Sequence, residues 1–365
     1  MAADEGRAGS ILKMKGATPV QFGLLTLFDF FPDRQNERAY YQDTLDLMTY
    51  AEQLGFDSAW VGEEHFYSLG ICPNPQLFLT ALARETTRLR LGTSVSVLPL
   101  ENPLRKAEDF AMLDILSGGR LNFGVGKGAY PKHFEGFRVA PQEMRARYEE
   151  ALEIIERAWT RESFSYAGQF WQIPELSLSP KPLQKPHPPI YRGLGSPEAF
   201  EPAGVKGHGA LFVPWLTPET RLKEGIARYR AALRAHGHHA VPPSVFVFFL
   251  FIDQDYHQAL AEARETIGRY VELGLLSLFP PGLVAHLPAD DPRRGGWDMI
   301  TSMADHLEER AIIGTPRDCR RRLAEVREEW GIEHIVFYCH AGARDITRAR
   351  RGLELFAREV MPECR

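Results

Sequence analysis

Cysteine is scarce: Cys72, Cys319, Cys339 and Cys364 are the four in 365 residues, and none forms a C-x-x-C pair. That excludes a dense disulfide framework and a cysteine zinc site, and it suits a reducing, cytoplasmic setting. Positive charge is not in excess. Lys and Arg total 43 against 48 Asp and Glu, a net charge of −5, which disfavours nucleic acid as a partner. Long apolar runs are missing too: stretches such as Val245 to Ile252 are far too short to cross a bilayer, so no membrane association is expected. The opening MAADEGRAGSILKMKGATP has no apolar core and does not read as a signal peptide. Residues 1–18 are expected to form a flexible tail and residues 19–365 a single domain. His-x-x-x-His motifs are absent, and His236, His238 and His239 lie in a polar, Gly-containing stretch that reads as solvated loop, so no metal site is expected.

What is present is alternation. Apolar strand-like runs occur at Val20–Leu27, Ser58–Gly62, Leu89–Leu98, Arg120–Val125, Pro189–Gly193, Ala210–Val213, Ser244–Ile252 and Ile332–Tyr338. Amphipathic segments follow them, among them Glu37–Leu54, Gln76–Thr87, Leu104–Leu116, Gln142–Trp159, Pro218–Ala235, Tyr256–Leu273 and Thr315–Trp330. This order predicts an α/β fold, a (β/α)8 TIM barrel. A doubly wound sheet would place G-x-G-x-x-G after the first strand, where the chain instead reads Leu27-Phe28-Asp29-Phe30-Phe31. The glycine-rich Gly124–Gly128 segment is expected to lead into Pro131 and not into a helix. Two interruptions stand out: an aromatic hairpin excursion at Phe164–Trp171, and a Pro/Gly-rich stretch at about 275–297 that reads as a long active-site loop.

In a parallel barrel the carboxyl ends of the strands carry the site. Lys127, among glycines, and Ser196, just before Pro197 at a helix start, suit an anion. Phe28, Phe66, Tyr67 and Trp215 offer apolar walls for a substrate pocket. Glu64 and His65 are adjacent ionisable groups at the end of the second strand, candidates for proton transfer or for a structural ion pair.

These strand-end segments, FGLLTLFDFFP, AEQLGFDSAWVGEEHF, LGTSVSVLPLENPLRKAEDFAMLDILSGGRLNFGVGKGAY and IGTPRDC, resemble the bacterial luciferase-like flavin-dependent monooxygenases, luciferase α subunit included, over nearly the whole chain. The resemblance implies a barrel that binds reduced FMN, usually supplied by a separate flavin reductase, and uses molecular oxygen to oxidise a hydrophobic organic substrate. It also implies a homodimer, and the 275–297 stretch corresponds to luciferase's mobile loop. Residue by residue it assigns the flavin phosphate to Lys127 and Ser196, with Ala129, Tyr130 and Gly195 nearby, and a non-prolyl cis peptide under the flavin ring to Ser94-Val95. Trp215 aligns with an aromatic near the flavin. His65 and Glu64 fall on the catalytic pair, Glu64 standing where luciferase has its first histidine. Two alternatives of the same fold remain: a deazaflavin-dependent oxidoreductase and a non-catalytic flavin-binding paralogue.

Overall fold

The computed structural model describes residues 19–275 and 303–365, except 32, 34–35, 68–69, 304–305, 339 and 342–343. The predicted tail, and all but the first residue of the predicted 275–297 loop, lie outside the described residues.

Eight parallel strands close a barrel: β1 (Gln21–Thr26), β2 (Ser58–Val61), β3 (Arg90–Thr93) continued by β4 (Ser96–Val97), β5 (Leu121–Gly126), β8 (Ile190–Gly193), β9 (Gly209–Phe212), β10 (Val245–Ile252) and β12 (His334–Tyr338). Closure is made by β12 pairing with β1, Gln21 opposite His334 through Leu25 opposite Tyr338. An additional parallel strand, β11 (Ala311–Gly314), pairs with the far end of β10. The hairpin excursion is real: β6 (Phe164–Ala167) and β7 (Gln172–Leu176) form a separate antiparallel pair.

Helices cover the outside: α1 (Glu37–Gln53), α2 (Pro75–Glu85), α3 (Pro103–Leu116), α4 (Pro131–Gly136), α5 (Met144–Thr160), α6 (Pro197–Lys206), α7 (Glu219–Ala235), α8 (Tyr256–Arg269), α9 (Leu307–Arg310), α10 (Pro316–Trp330), α11 (Ile346–Glu359) and α12 (Met361–Cys364). Their starts are chemically marked. Asn36, Asn74, Asn102, Asp255, Thr315 and Asp345 each accept a backbone N–H of the first turn, and Pro75, Pro103 and Pro316 stand where a missing N–H costs nothing.

Two expectations are corrected and one strand is added that the sequence did not announce. The glycine segment after β5 does lead into a helix, because Pro131 is itself an opening helical residue. The stretch before Thr315 forms β11. The helix predicted to reach Leu273 ends as an α-helix at Arg269, and Tyr270–Leu275 continues with π-type hydrogen bonding.

β10 shows why its sequence, VFVFFLFI, has no polar face: all eight residues are buried. Phe246, Phe248, Leu250 and Ile252 pack with the helices, while Val245, Val247, Phe249 and Phe251 fill the barrel interior. At the amino-terminal end of the barrel Trp60 stands edge-on to Tyr191, with ring centroids 5.2 Å apart, and its Nε1 donates to Ser58 Oγ. Above this floor the interior stays open. Among the described residues no helix is long and apolar enough to cross a membrane.

Candidate active site

A cavity of about 300 Å³ opens at the carboxyl ends of the strands. Its apolar part is formed by Leu25, Leu27, Val95, Leu211, Val247 and Trp215. Trp215 is 2% exposed, and its Nε1 has no hydrogen-bond partner among the described residues. The Ser94–Val95 peptide between β3 and β4 is cis, and both residues line the cavity.

One end is cationic. Lys127, Gly128, Ala129 and Tyr130 continue from β5, and Gly195 follows β8; all five line the cavity. Gly128 has φ +81, and a Cβ there would stand 2.8 Å from Val97 Cγ1 and 2.9 Å from Phe134 Cζ, so the turn requires glycine. Burial lowers the Lys127 pKa, and the like charge of Arg145 lowers it further. Arg145, at the start of α5, reaches Ser196 Oγ (3.4 Å) and Glu198 Oε1 (3.6 Å). Ser196 precedes α6 without capping it through its side chain. The Glu198 carboxylate folds back onto this helix start and is held below the usual carboxylate range, first by its own backbone N–H, then by Ser196. An exposed carboxylate lies at that spot beside Arg145, Ser196 and the helix N-terminus, surroundings that favour negative charge. Space above Gly195 is open, with no atom within 4 Å of where a Cβ would sit. A cationic end with an open glycine, joined to an apolar chamber holding an unpartnered indole N–H, fits a phosphorylated flavin.

The acidic wall is built differently from its sequence. Neighbouring residues of an extended segment point to opposite sides. Glu63 and His65 therefore turn one way and Glu64 the other. Glu63 is 4% exposed. Its Oε2 accepts from Lys106 Nζ (2.8 Å), Ser96 Oγ (2.9 Å) and the Val97 N–H (3.1 Å), and its Oε1 faces His65 Nε2 at 3.1 Å. Burial alone would raise the Glu63 pKa; the Lys106 ammonium and His65 together outweigh it and hold it down at about 2. Lys106 in turn reaches Glu101 at 2.9 Å.

Glu64 lines the cavity, with Oε2 3.4 Å from Nε2 of His133 on α4. Its N–H donates to the Cys72 carbonyl at 3.0 Å, and Gly70 lies so close that a Cβ there would stand 2.4 Å from Glu64 Cγ. Burial pushes the Glu64 carboxyl up.

Of the residues expected from sequence, Glu64, Ser94, Val95, Lys127, Ala129, Tyr130, Gly195 and Trp215 share this cavity. The structure places Ser196 at its cationic rim, through Arg145. His65 is turned to Glu63 and away from the cavity lining. Phe28, at φ +61, is fully buried against Tyr40, Tyr41 and Phe78 in the outer core. Phe66 is 58% exposed, beside Phe137. Tyr67 stands behind Tyr130, with ring centroids 6.2 Å apart. Glu63, Lys106, His133 and Arg145 were not singled out from the sequence as site residues. The alternation of Glu63, Glu64 and His65 could have indicated the first; the other three arrive from helices whose facing no local motif announces.

This barrel, with its site at the strand ends, has known relatives. The luciferase-like monooxygenase family matches residues 20–334, and the chain belongs to that family. It is 27% identical over 349 residues to the oxygenase component of a flavin-dependent trigonelline monooxygenase from Acinetobacter baylyi, covering 94% of this chain and 95% of the relative. The structure is similar to that of the monooxygenase RslO1 from Streptomyces bottropensis, with TM-score 0.82, 27% identity, and 94% and 99% of the two chains covered. It shares its fold with the oxygenating constituent of 3,6-diketocamphane monooxygenase from Pseudomonas putida, solved in complex with FMN, with TM-score 0.78, 20% identity, and 94% and 98% covered.

Proposed function

We propose that this protein is the oxygenase of a two-component flavin-dependent monooxygenase, taking reduced FMN from a separate reductase and oxidising a hydrophobic organic substrate with molecular oxygen. The observation that carries the reading is one cavity that joins Lys127, Gly128 and Gly195 to an apolar chamber, with Ser196, next to Gly195, bonded to Arg145. Lys127, Arg145, Ser196 and the first turn of α6 hold the phosphate. Ser94, Val95, Ala129, Tyr130 and Gly195 flank the ring system, and Trp215 Nε1 donates to a polar atom in the chamber. Reduced FMN supplies the two electrons with which one atom of oxygen enters the substrate and the other leaves as water.

The chain's own groups exclude water and manage a proton. Leu25, Leu27, Val95, Leu211 and Val247 keep the chamber apolar. Of the two acids on its wall, Glu63 is held ionised by Lys106, and Glu64, with its raised pKa, suits proton exchange nearer neutrality. Glu63, locked by Lys106, fixes His65 and the start of β4 beside the cis peptide. The printed description of the Acinetobacter baylyi relative as an oxygenase component supports dependence on a separate reductase. A homodimer is part of the proposal, and the exposed Leu77, Met112, Ile115 and Leu116 on neighbouring α2 and α3 support it.

The test supplies the protein with FMN, a flavin reductase and a panel of hydrophobic substrates. Oxygen uptake that depends on reduced FMN, with substrate-dependent product, is expected. Binding of a reduced deazaflavin in preference to FMN would replace the proposal with hydride transfer; flavin binding without any turnover would leave a non-catalytic flavoprotein.

A further inference from the structure

The Glu64–His133 and Glu63–His65 contacts look alike as residue pairs but differ in their hydrogen bonds. His133 Nε2 accepts the backbone N–H of His65 at 3.0 Å. A ring nitrogen that accepts carries no proton, so the neutral His133 ring holds its proton on Nδ1, which is buried with no partner among the described residues. His65 is the opposite case. Its Nε2 faces Glu63, a carboxylate that Lys106 keeps ionised, so His65 donates from Nε2.

Glu64 Oε2 lies 3.4 Å from the accepting Nε2 of His133. An ionised carboxyl there would confront a lone pair in a nearly sealed wall. A proton on the carboxyl removes the conflict. A proton on Nε2 would also remove it, but would cost the His65 amide its acceptor and leave two buried charges. The other groups around Glu64 change this little. Burial keeps Tyr67, Tyr130 and Tyr270 as neutral phenols and pushes the Cys72 thiol up to about 12. Glu63 is balanced by Lys106, Asp29 accepts from the Tyr338 hydroxyl, and Lys132 lies over the Tyr67 ring.

We propose that Glu64 and His133 form one proton-holding couple on the cavity wall, in which Glu64 gives its proton to a bound ligand and His133 is the positioning residue that sets when it does so, while His65 belongs to the Glu63–Lys106 cluster. When the proton leaves, the Glu64 O–H bond breaks and a bond from hydrogen to the ligand's acceptor atom forms. The carboxylate left behind is reprotonated by hydronium from the solvent, while His133 Nε2 keeps accepting the His65 amide. The identity of the ligand, though not the state of the couple, rests on the function proposed above.

Nitrogen-15 NMR of histidine side chains in the flavin-free protein tests the couple, with His133→Gln and His65→Gln assigning the signals. At neutral pH the expected result is an unprotonated Nε2 in His133 and a protonated one in His65. An infrared titration of the same protein should show a protonated carboxyl signal that vanishes in Glu64→Gln. Its midpoint should fall by about one pH unit in His133→Phe, where the opposing lone pair is gone, and move less in His65→Gln. In the flavin-loaded enzyme the kcat profile should follow that midpoint, with KM little changed. His133→Gln repeats the titration should His133→Phe fail to fold. A protonated Nε2 in His133, or a shift from His65→Gln as large as that from His133→Phe, would overturn the couple. Correct NMR and infrared signatures without reduced-FMN turnover would leave the couple standing and remove the proposed function instead.

Discussion

Lys106→Met puts the acidic wall under the most informative strain. The Lys106 side chain is 2% exposed, with its ammonium 2.8 Å from Glu63 and 2.9 Å from Glu101. Methionine keeps the stem's volume and removes the charge. Breaking a buried ion pair from one side costs about 3–5 kcal/mol, because the remaining charge stays desolvated. Glu63 retains Ser96 Oγ, the Val97 N–H and His65, so the loss belongs at the lower end, about 3 kcal/mol. Glu63→Gln/Lys106→Met removes both charges and should recover about half of that loss or more. Urea unfolding at pH 7 reads these values, followed by both circular dichroism and tryptophan fluorescence to check that the transitions coincide. FMN affinity should fall alongside stability, since Glu63 anchors Ser96 and Val97 just past the cis peptide. A loss under about 1 kcal/mol, or a double variant whose loss equals the sum of the singles, would refute the reasoning.

Lys127→Ala and Arg145→Ala should each weaken FMN binding by about tenfold or more while leaving riboflavin binding nearly unchanged, measured by fluorescence titration; equal losses for both flavins would remove these residues from the phosphate site. Acid should destabilise the protein through Glu63. Its pKa falls from 4.5 to about 2 on folding, so its contribution is complete above pH 4.5 and lost as pH drops towards 2. That contribution is about 3 kcal/mol. His334, held at about 3 by burial, adds its own loss from pH 6.5 downward, so the difference between the native protein and Glu63→Gln isolates the Glu63 part; parallel stability curves for the two would contradict it. Gly128→Ala should cost about 1–2 kcal/mol in urea unfolding because of its positive φ and the contacts its methyl would make, and a neutral result would mean that the turn re-forms without glycine.

How much of this was legible depends on the range of the interactions involved. The barrel strands announce themselves because burial on both faces demands unbroken apolar residues, and β10 is the clearest case. β11, four residues long, was lost beside the start signal of α10. Lys127 and Ser196 stand out by their glycine and proline neighbours and the Ser94–Val95 pair through resemblance, and backbone continuity alone brings Ala129, Tyr130 and Gly195 with them. The acidic wall was half legible. Glu64 and His65 stand out as adjacent residues, yet adjacency in an extended segment separates side chains, so each takes another partner. Glu64 turns to His133 on α4 and His65 to Glu63, itself held by Lys106 on α3, and the α4 start was misread by treating Pro131 as a breaker. Phe28 and Phe66 were expected as pocket walls on their chemistry, but each adopts a positive φ that no local pattern foretells and faces elsewhere.

The most direct test is an experimental structure with FMN bound. The account predicts the phosphate among Lys127, Arg145, Ser196 and the first turn of α6, the ring system within the chamber beside Ser94–Val95, and Glu64 on the adjoining wall. A phosphate held elsewhere, or a ring lying outside the strand ends, would contradict it.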